Sequence, residues 1–402
     1  MHVRLLVGLL ALAGCNACNE PAPRPPTGPA VTPTATAWTS PTQPTATTTA
    51  GQPPVTTAAT APSLAAAPPG RYWVVGYYGG YQSELLSVSA IDFAAMSHVA
   101  VSRVVPRTDG SLDTSFDHKS GLTLSQGIVN AAHANGRRAI LMVGGDGAHD
   151  GFVGAVTTDQ ARLVDGLARV VKSQGYDGID IDWEPVPAAD EPLIEGLLDA
   201  LRRTLPTTTI TMPVAWDKIP RNAARLAARL DQMNIMTYGM TGAWSGWRTW
   251  HSSALYGRLS SVDKSVNAYL AAGVPPRKLG VGVGFYGTCW AGATGPDQDI
   301  VEGFRVVTSD NDMSYTNIVS LYAPHGRALW DDAVKAPFLS FPRPTGPKGC
   351  TYVTYEDERS IAEKAAYIKR RGLGGVVVWT INQGVVGGQQ PLAAALRKGL
   401  LQ

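Results

Sequence analysis

The stretch Asp177-Gly178-Ile179-Asp180-Ile181-Asp182-Trp183-Glu184 decides how this chain is read. Its apolar residues and alternation predict a strand. Side chains alternate along a strand, so Asp180, Asp182 and Glu184 share one face. They recur about every 6.6 Å, twice the strand rise. Ile179, Ile181 and Trp183 take the other face, where a barrel strand meets its helices. Three carboxylates on one face of a buried strand are costly. Burial and like charge raise the pKa of at least one. Glu184 stands at the C-terminal end of the strand, where barrel active sites lie, and is the candidate general acid. A polar strand end that caps a helix would explain one Asp, but not three acids at period two. A Mg²⁺ or Ca²⁺ site is the competing reading, because carboxylates are hard oxygen ligands. The spacing along one strand is long for several ligands on one ion, so no metal and no cofactor are expected.

Seven further strand-like runs surround this one. With it they are Tyr72–Tyr78, His98–Val105, Arg138–Val143, Gly178–Asp182, Thr209–Val214, Met233–Met236, Leu279–Phe285 and Gly375–Trp379. Each is rich in Val, Ile or aromatic residues and is bounded by Gly, Pro or Asp. Helical patterns lie between them, for example Asp159–Ser173 and Ser360–Arg371. The alternation predicts an α/β fold with a parallel sheet. Eight units in residues 71–402, with the acidic strand among them, predict a closed (β/α)8 barrel. About 90 residues separate Phe285 from Gly375, too many for one connection. A small α+β insertion at about 288–357, between strands 7 and 8, is expected there.

The residues from Asp177 to Glu184 resemble the DxxDxDxE signature of glycoside hydrolase family 18, the chitinase family. The resemblance continues along the folded part. Val143-Gly144-Gly145 is similar to the end of the family's SxGG strand, with Met142 where Ser is common. Met236-Thr237-Tyr238 resembles the MxY of the sixth strand. Gly284-Phe285-Tyr286-Gly287 resembles the seventh-strand block, and Gly374 to Trp379 the eighth strand with its Trp. The resemblance implies retaining hydrolysis assisted by the substrate, an exception to the two-carboxylate rule for glycosidases. The 2-acetamido oxygen attacks the anomeric carbon and forms an oxazolinium. In that scheme Glu184 is acid and then base, and Asp182 holds the acetamido N–H. Asp180 shares a proton with Asp182, and Tyr238 bonds the acetamido oxygen. Trp379 floors the sugar site, with Tyr78, Met236 and Tyr286 lining the same pocket. Trp216, Trp244, Trp247, Trp250 and His251 are either outer sugar subsites or loop packing. Two positions depart from the family pattern. Gly239 follows Tyr238 where Asp is usual, and Arg103 stands where an aromatic is usual. Arg103 is expected to pair with Asp180 or another buried acid, or to meet an anionic substituent.

The N-terminal part has another character. Arg4 precedes an apolar run, Leu5 to Gly14, too short to span a bilayer and read as a signal peptide over residues 1–14. Leu12-Ala13-Gly14-Cys15 resembles a bacterial lipobox, which implies cleavage before Cys15 and its acylation. An ordinary secretory peptide with an incidental Cys15 is the alternative. Residues 21–70 hold 13 Pro, 13 Thr and 12 Ala, a composition that cannot bury a core. Residues 15–70 are therefore read as an anchor Cys and an extended spacer. Cys18 falls in that spacer, which leaves Cys289 and Cys350 as a pair. In an exported domain they are a disulfide; otherwise they are two free thiols. A formal net charge of +2 gives no electrostatic case for nucleic acid.

These readings converge on an exported, lipid-anchored barrel at a bacterial cell surface or periplasmic face, expected to be monomeric. Its expected substrate is a β-1,4-linked N-acetylglucosamine glycan, chitin or chito-oligosaccharides, cleaved internally. Peptidoglycan or an N-glycan core is the runner-up. A non-catalytic sugar-binding protein of the same fold is the alternative outside the enzyme class, and the presence of Glu184 speaks against it.

Overall fold

The computed structural model describes residues 71–402. The signal peptide, Cys15 and the spacer lie outside the described residues. Eight parallel strands follow in chain order: Trp73–Gly79, His98–Pro106, Arg138–Gly145, Gly178–Trp183, Thr209–Val214, Gln232–Ile235, Leu279–Gly284 and Gly375–Trp379. Each pairs with its sequence neighbours, and the last pairs with the first, so the sheet closes into a barrel. The expected eight runs all fall on the barrel strands, with ends shifted by at most two residues.

Two shells of apolar side chains hold it. Between strands and helices lie Ile179, Ile181 and Trp183 with Leu163, Leu167, Ile194 and Leu198. Inside the barrel, Val75, Tyr77, Ala100, Ile140, Met142 and Val377 form a plug. The alternation of the fourth strand thus sends its apolar set outward and its acids inward. Gly144 makes the close packing beside it possible. Its φ is +95°, and a Cβ there would lie 2.3 Å from the Asp182 carbonyl and from the Phe152 ring.

The helices follow their sequence signals. Glu358–Arg371 begins two residues earlier than its apolar pattern, because Asp357 and Ser360 form a capping box, and Gly372 ends it in the left-handed region. His149–Gln174 is broken at Asp159, with φ −154° and ψ 73°. There the Asp159 carboxylate accepts from the Arg162 N–H at 2.9 Å. The pattern that starts at Asp159 is therefore the second half of a longer element.

The insertion follows the seventh strand at once. Strands Tyr286–Ala291, Arg305–Ser314, Arg327–Asp331, Ala336–Thr345 and Cys350–Thr354 form an antiparallel sheet. Short helical turns over 315–325 cover one part of it. Cys289 and Cys350 are disulfide-bonded, with Cα atoms 5.4 Å apart, and are buried with Met313, Leu339 and Phe341. The bridge closes a loop of 61 residues, worth roughly 4 kcal/mol in the chain-entropy account. Reduction, or Cys350→Ser, should lower the melting temperature by several degrees. Calorimetry with and without reductant reads this directly, and an unchanged Tm would show that the bridge adds no stability.

Candidate active site

The inward acids meet a cavity of about 580 Å³ at the C-terminal ends of the strands. Asp182, Glu184, Met236, Tyr238, Tyr286 and Trp379 all line it. The strand ends bring together residues as distant in sequence as Asp182 and Trp379, 197 positions apart. Asp180 lies one layer deeper and is 1% exposed. Its carboxylate accepts from the Tyr77 hydroxyl at 2.6 Å and from the Thr211 hydroxyl. Burial pushes its pKa up to about 6, against the pull of those two donors. Asp182 is 4% exposed, and its Oδ1 has no partner among the described residues. Burial, then the charges of Glu184 and Asp180, hold its carboxyl well above the usual range. Glu184 is also raised, first by burial; the hydrogen bond with Asp182 and the Arg103 charge work against this, while Asp146 adds to it. The Asp182–Glu184 pair therefore gives up its first proton less readily than two exposed carboxyls would.

Neighbouring side chains are fixed from outside the barrel. Thr237 accepts from the Gly282 N–H at 2.9 Å and donates to the Gly282 carbonyl at 2.8 Å. That clamp sends Tyr238, the next residue, into the cavity. Tyr238 meets Tyr286 edge to face at 6.1 Å. Burial raises both phenols, so both remain protonated donors. Trp379 rests on Tyr77, with ring centroids 5.6 Å apart.

The structure corrects two expectations, for Tyr78 and for Arg103. Tyr78 does not line the pocket: its hydroxyl donates to the Leu86 carbonyl at 2.7 Å and its ring joins the outer core. Tyr77 is the inward tyrosine, because Trp73, Val75 and Tyr77 share the barrel face of the first strand. Trp216 lies outside the cavity, half-buried against Trp244 and Trp247, at 6.5 and 6.2 Å. Trp250 and His251 are buried, the first donating to the Ser260 carbonyl and the second contacting Asp331, so they are loop packing. Arg103 does not pair with Asp180. Its Nε donates to Asp117 at 3.0 Å and its Nη1 to the carbonyls of Gly144 and Asp146.

Three acids at the cavity carry no signal in the sequence. Asp117 and Asp146 join from loops, and Asp310 reaches in from the insertion, where it accepts from the Gln383 Nε2 at 2.6 Å. No local pattern marks them. Gly239, at φ +63°, leaves open space; a Cβ there would touch only the Tyr286 hydroxyl, at 3.5 Å. A smaller cavity of about 250 Å³ shares Asp146, Glu184 and Met236 with the first and continues past Val214 and Asp217. Glu184 thus lines both cavities. Among the described residues, no three His, Cys, Asp or Glu side chains are grouped to hold a metal ion.

A (β/α)8 barrel with buried carboxylates at the mouth of a groove defines a glycosidase scaffold. The chain belongs to the family described as "Glycosyl hydrolases family 18", whose sequence profile matches residues 73–384. It is a chitinase-like glycoside hydrolase. It is 27% identical over 359 residues to "Chitinase B" of Serratia marcescens, covering 68% of this chain and 71% of that protein. It is also 27% identical over 264 residues to a "Probable endochitinase" of Caenorhabditis elegans, covering 58% of this chain but only 41% of the relative. A chitinase-like agglutinin, RobpsCRA from Robinia pseudoacacia, superposes with a TM-score of 0.68 at 21% identity, over 81% of this chain and 98% of that one. That likeness shows the fold alone.

The raised carboxyl of Asp182 carries a sign. Its folded pKa lies above its unfolded value, so its proton stabilises the fold fully at low pH, and that contribution is lost as pH rises through the folded pKa. Asp182→Asn does not titrate. The variant should therefore gain stability over the natural chain as pH rises from 4 to 8. Each pH unit between the folded and unfolded pKa of Asp182 is worth about 1.4 kcal/mol of that gain. Melting curves at both ends of this window read the difference, which must widen by about 2 °C or more. A constant difference would show that Asp182 ionises normally.

Proposed function

We propose that the enzyme cleaves β-1,4-linked N-acetylglucosamine glycans, chitin or chito-oligosaccharides, with retention and by substrate assistance. The observation that carries this is the row of carboxyls from buried Asp180 through Asp182 to Glu184, the last two lining the groove. Glu184 gives its proton to the glycosidic oxygen as the bond to the anomeric carbon breaks. The acetamido carbonyl oxygen closes on that carbon from the other side and forms an oxazolinium. Asp182 accepts the acetamido N–H and steadies the positive charge that develops. Tyr238 donates to the acetamido oxygen. The Glu184 carboxylate then takes a proton from water, whose oxygen opens the oxazolinium with overall retention. Asp180, held by Tyr77 and Thr211, keeps Asp182 in place and tunes its proton. Trp379 supplies the apolar face under the sugar.

The groove's charge favours a neutral glycan over an anionic one. In the larger cavity Asp117, Asp146, Asp182, Glu184 and Asp310 stand against Arg103, and the smaller one adds Asp217 and Lys218. Arg103 is itself engaged by Asp117. A muramic-acid carboxylate would enter against those acids, which argues against peptidoglycan. The two cavities that Glu184 lines suit a chain bound across the acid, as internal cleavage requires.

Glu184→Gln should lower turnover on chito-oligosaccharides by about a thousandfold or more, while the melting temperature and oligomer binding stay near those of the natural chain. Gln keeps the shape but has no acidic proton. Turnover within about tenfold of the natural chain would remove Glu184 from the mechanism.

We further propose that the domain is exported and held by acylated Cys15, with residues 21–70 as a spacer. Cys15→Ser should then move the protein from the membrane fraction to the soluble fraction, with kcat unchanged. Persistence in salt-washed membranes would mean that something else holds it.

A further inference from the structure

A second cavity, of about 520 Å³, opens at the opposite end of the barrel. Tyr72, His98 and Arg138 place it at the N-terminal starts of the first three strands. The acids of the active site stand at the other ends of those strands and their neighbours. Arg71, Arg137, Arg138, Lys369 and Arg397 line this cavity, and among the described residues no Asp or Glu side chain does. None of the five takes part in an ion pair among the described residues, although their neighbour Arg371 is paired with Asp263. Local structure accounts for two of them. The Arg137 Nε donates to the Phe93 carbonyl at 2.8 Å, and Lys369 suits the C-terminal end of its helix. Arg71 also lies over the Tyr72 ring, 5.3 Å from its centroid, while Arg138 and Arg397 form no ion pair among the described residues.

His98 is the second observation. It lines the same cavity, yet is only 2% exposed. Ser97 accepts from the Val74 N–H at 2.8 Å and donates to the Val74 carbonyl at 3.1 Å. The His98 Nδ1 lies 2.8 Å from the same hydroxyl, and its Nε2 makes no hydrogen bond among the described residues. Burial first, then the Arg138 charge, push the imidazole pKa down to about 4, with Asp177 opposing them. His98 and five cations thus line one cavity in which, among the described residues, no Asp or Glu stands.

We infer that this cavity is a binding site for a phosphate group. Converging guanidinium groups offer forked donors that match the several oxygens of phosphate better than the two of a carboxylate. A bound phosphate would offset the repulsion among the cations and accept from the Nε2 of a protonated His98. Two sources share this chemistry: the headgroup of an anionic phospholipid and a soluble phosphate ester. The chain joins the described fold at Arg71, itself a lining residue.

The test uses the full chain with Cys15→Ser, which cannot be acylated. It is titrated calorimetrically with glycerol phosphate, and co-sedimented with phosphatidylcholine vesicles with and without phosphatidylglycerol. The comparison carries Arg71→Glu, Lys369→Glu and Arg397→Glu together, three exposed positions far from the groove. Its hydrolysis of chito-oligosaccharides serves as the control for folding and should be unchanged. The substitutions should weaken binding at least about tenfold. Saturating glycerol phosphate should also raise the His98 pKa measured by NMR, in the parent but not in the triple variant. Binding of glycerol phosphate without retention on phosphatidylglycerol vesicles assigns a soluble ester. Retention that glycerol phosphate displaces assigns the lipid headgroup. If neither probe binds, or the triple variant binds both equally well, the site is not a phosphate site.

Discussion

The burial of Asp180 is the constraint on which the site depends. A carboxylate 1% exposed inside a barrel is tolerated because two hydroxyls, from Tyr77 and Thr211, point at its oxygens. Those donors sit on the first and fifth strands, so the bonds also tie distant parts of the barrel around one acid. With Asp180 fixed, Asp182 is held between it and Glu184, and burial, with like charges along one strand, raises the outer pair. A raised carboxyl is what an acid catalyst needs, and the rise is an electrostatic consequence of position. The same burial that makes the chemistry possible opposes stability above acidic pH, the exchange expected where function needs strained electrostatics.

The groove is built by clamps that lie outside it. Thr237 is locked to both backbone groups of Gly282, which aims Tyr238 inward. Gly144 lets the third strand lie against the Asp182 carbonyl and the Phe152 ring. The insertion contributes Asp310 to the cavity, so the disulfide-bonded sheet also forms part of one wall. The two ends of the barrel carry opposite charge. Acids dominate the groove at the C-terminal ends, and cations dominate the cavity at the N-terminal ends. A net charge of +2 over the whole chain hides this separation.

Sequence reasoning worked where the pattern was local and repeated. The alternation from Ile179 to Glu184 fixed which side chains face inward, because a strand turns each successive residue by half a turn. The same rule did not settle Tyr77 against Tyr78. Two consecutive tyrosines fit either phase, and Trp73 and Val75, by packing into the barrel plug, select one. Arg103 was readable as a departure from the family pattern, but its partner was not. Asp117 lies 14 residues away across a loop, and the two backbone carbonyls that Arg103 meets lie at the end of the next strand. The Trp cluster after the sixth strand had two readings in sequence, and burial separated them: Trp250 packs, while Trp244 remains exposed.

The sequence by itself determined the strand count, the inward set of three acids, the acid at the strand end and the pair of cysteines. Each depends on residue type at short, regular spacing, which backbone geometry converts into position. Only the tertiary structure decided that Tyr77 and Thr211 bond Asp180, that Asp310 reaches the groove, and that five cations from four separate parts of the chain face one cavity. Those contacts join residues tens to hundreds of positions apart. Closure of the barrel brings them together, and no local periodicity encodes them.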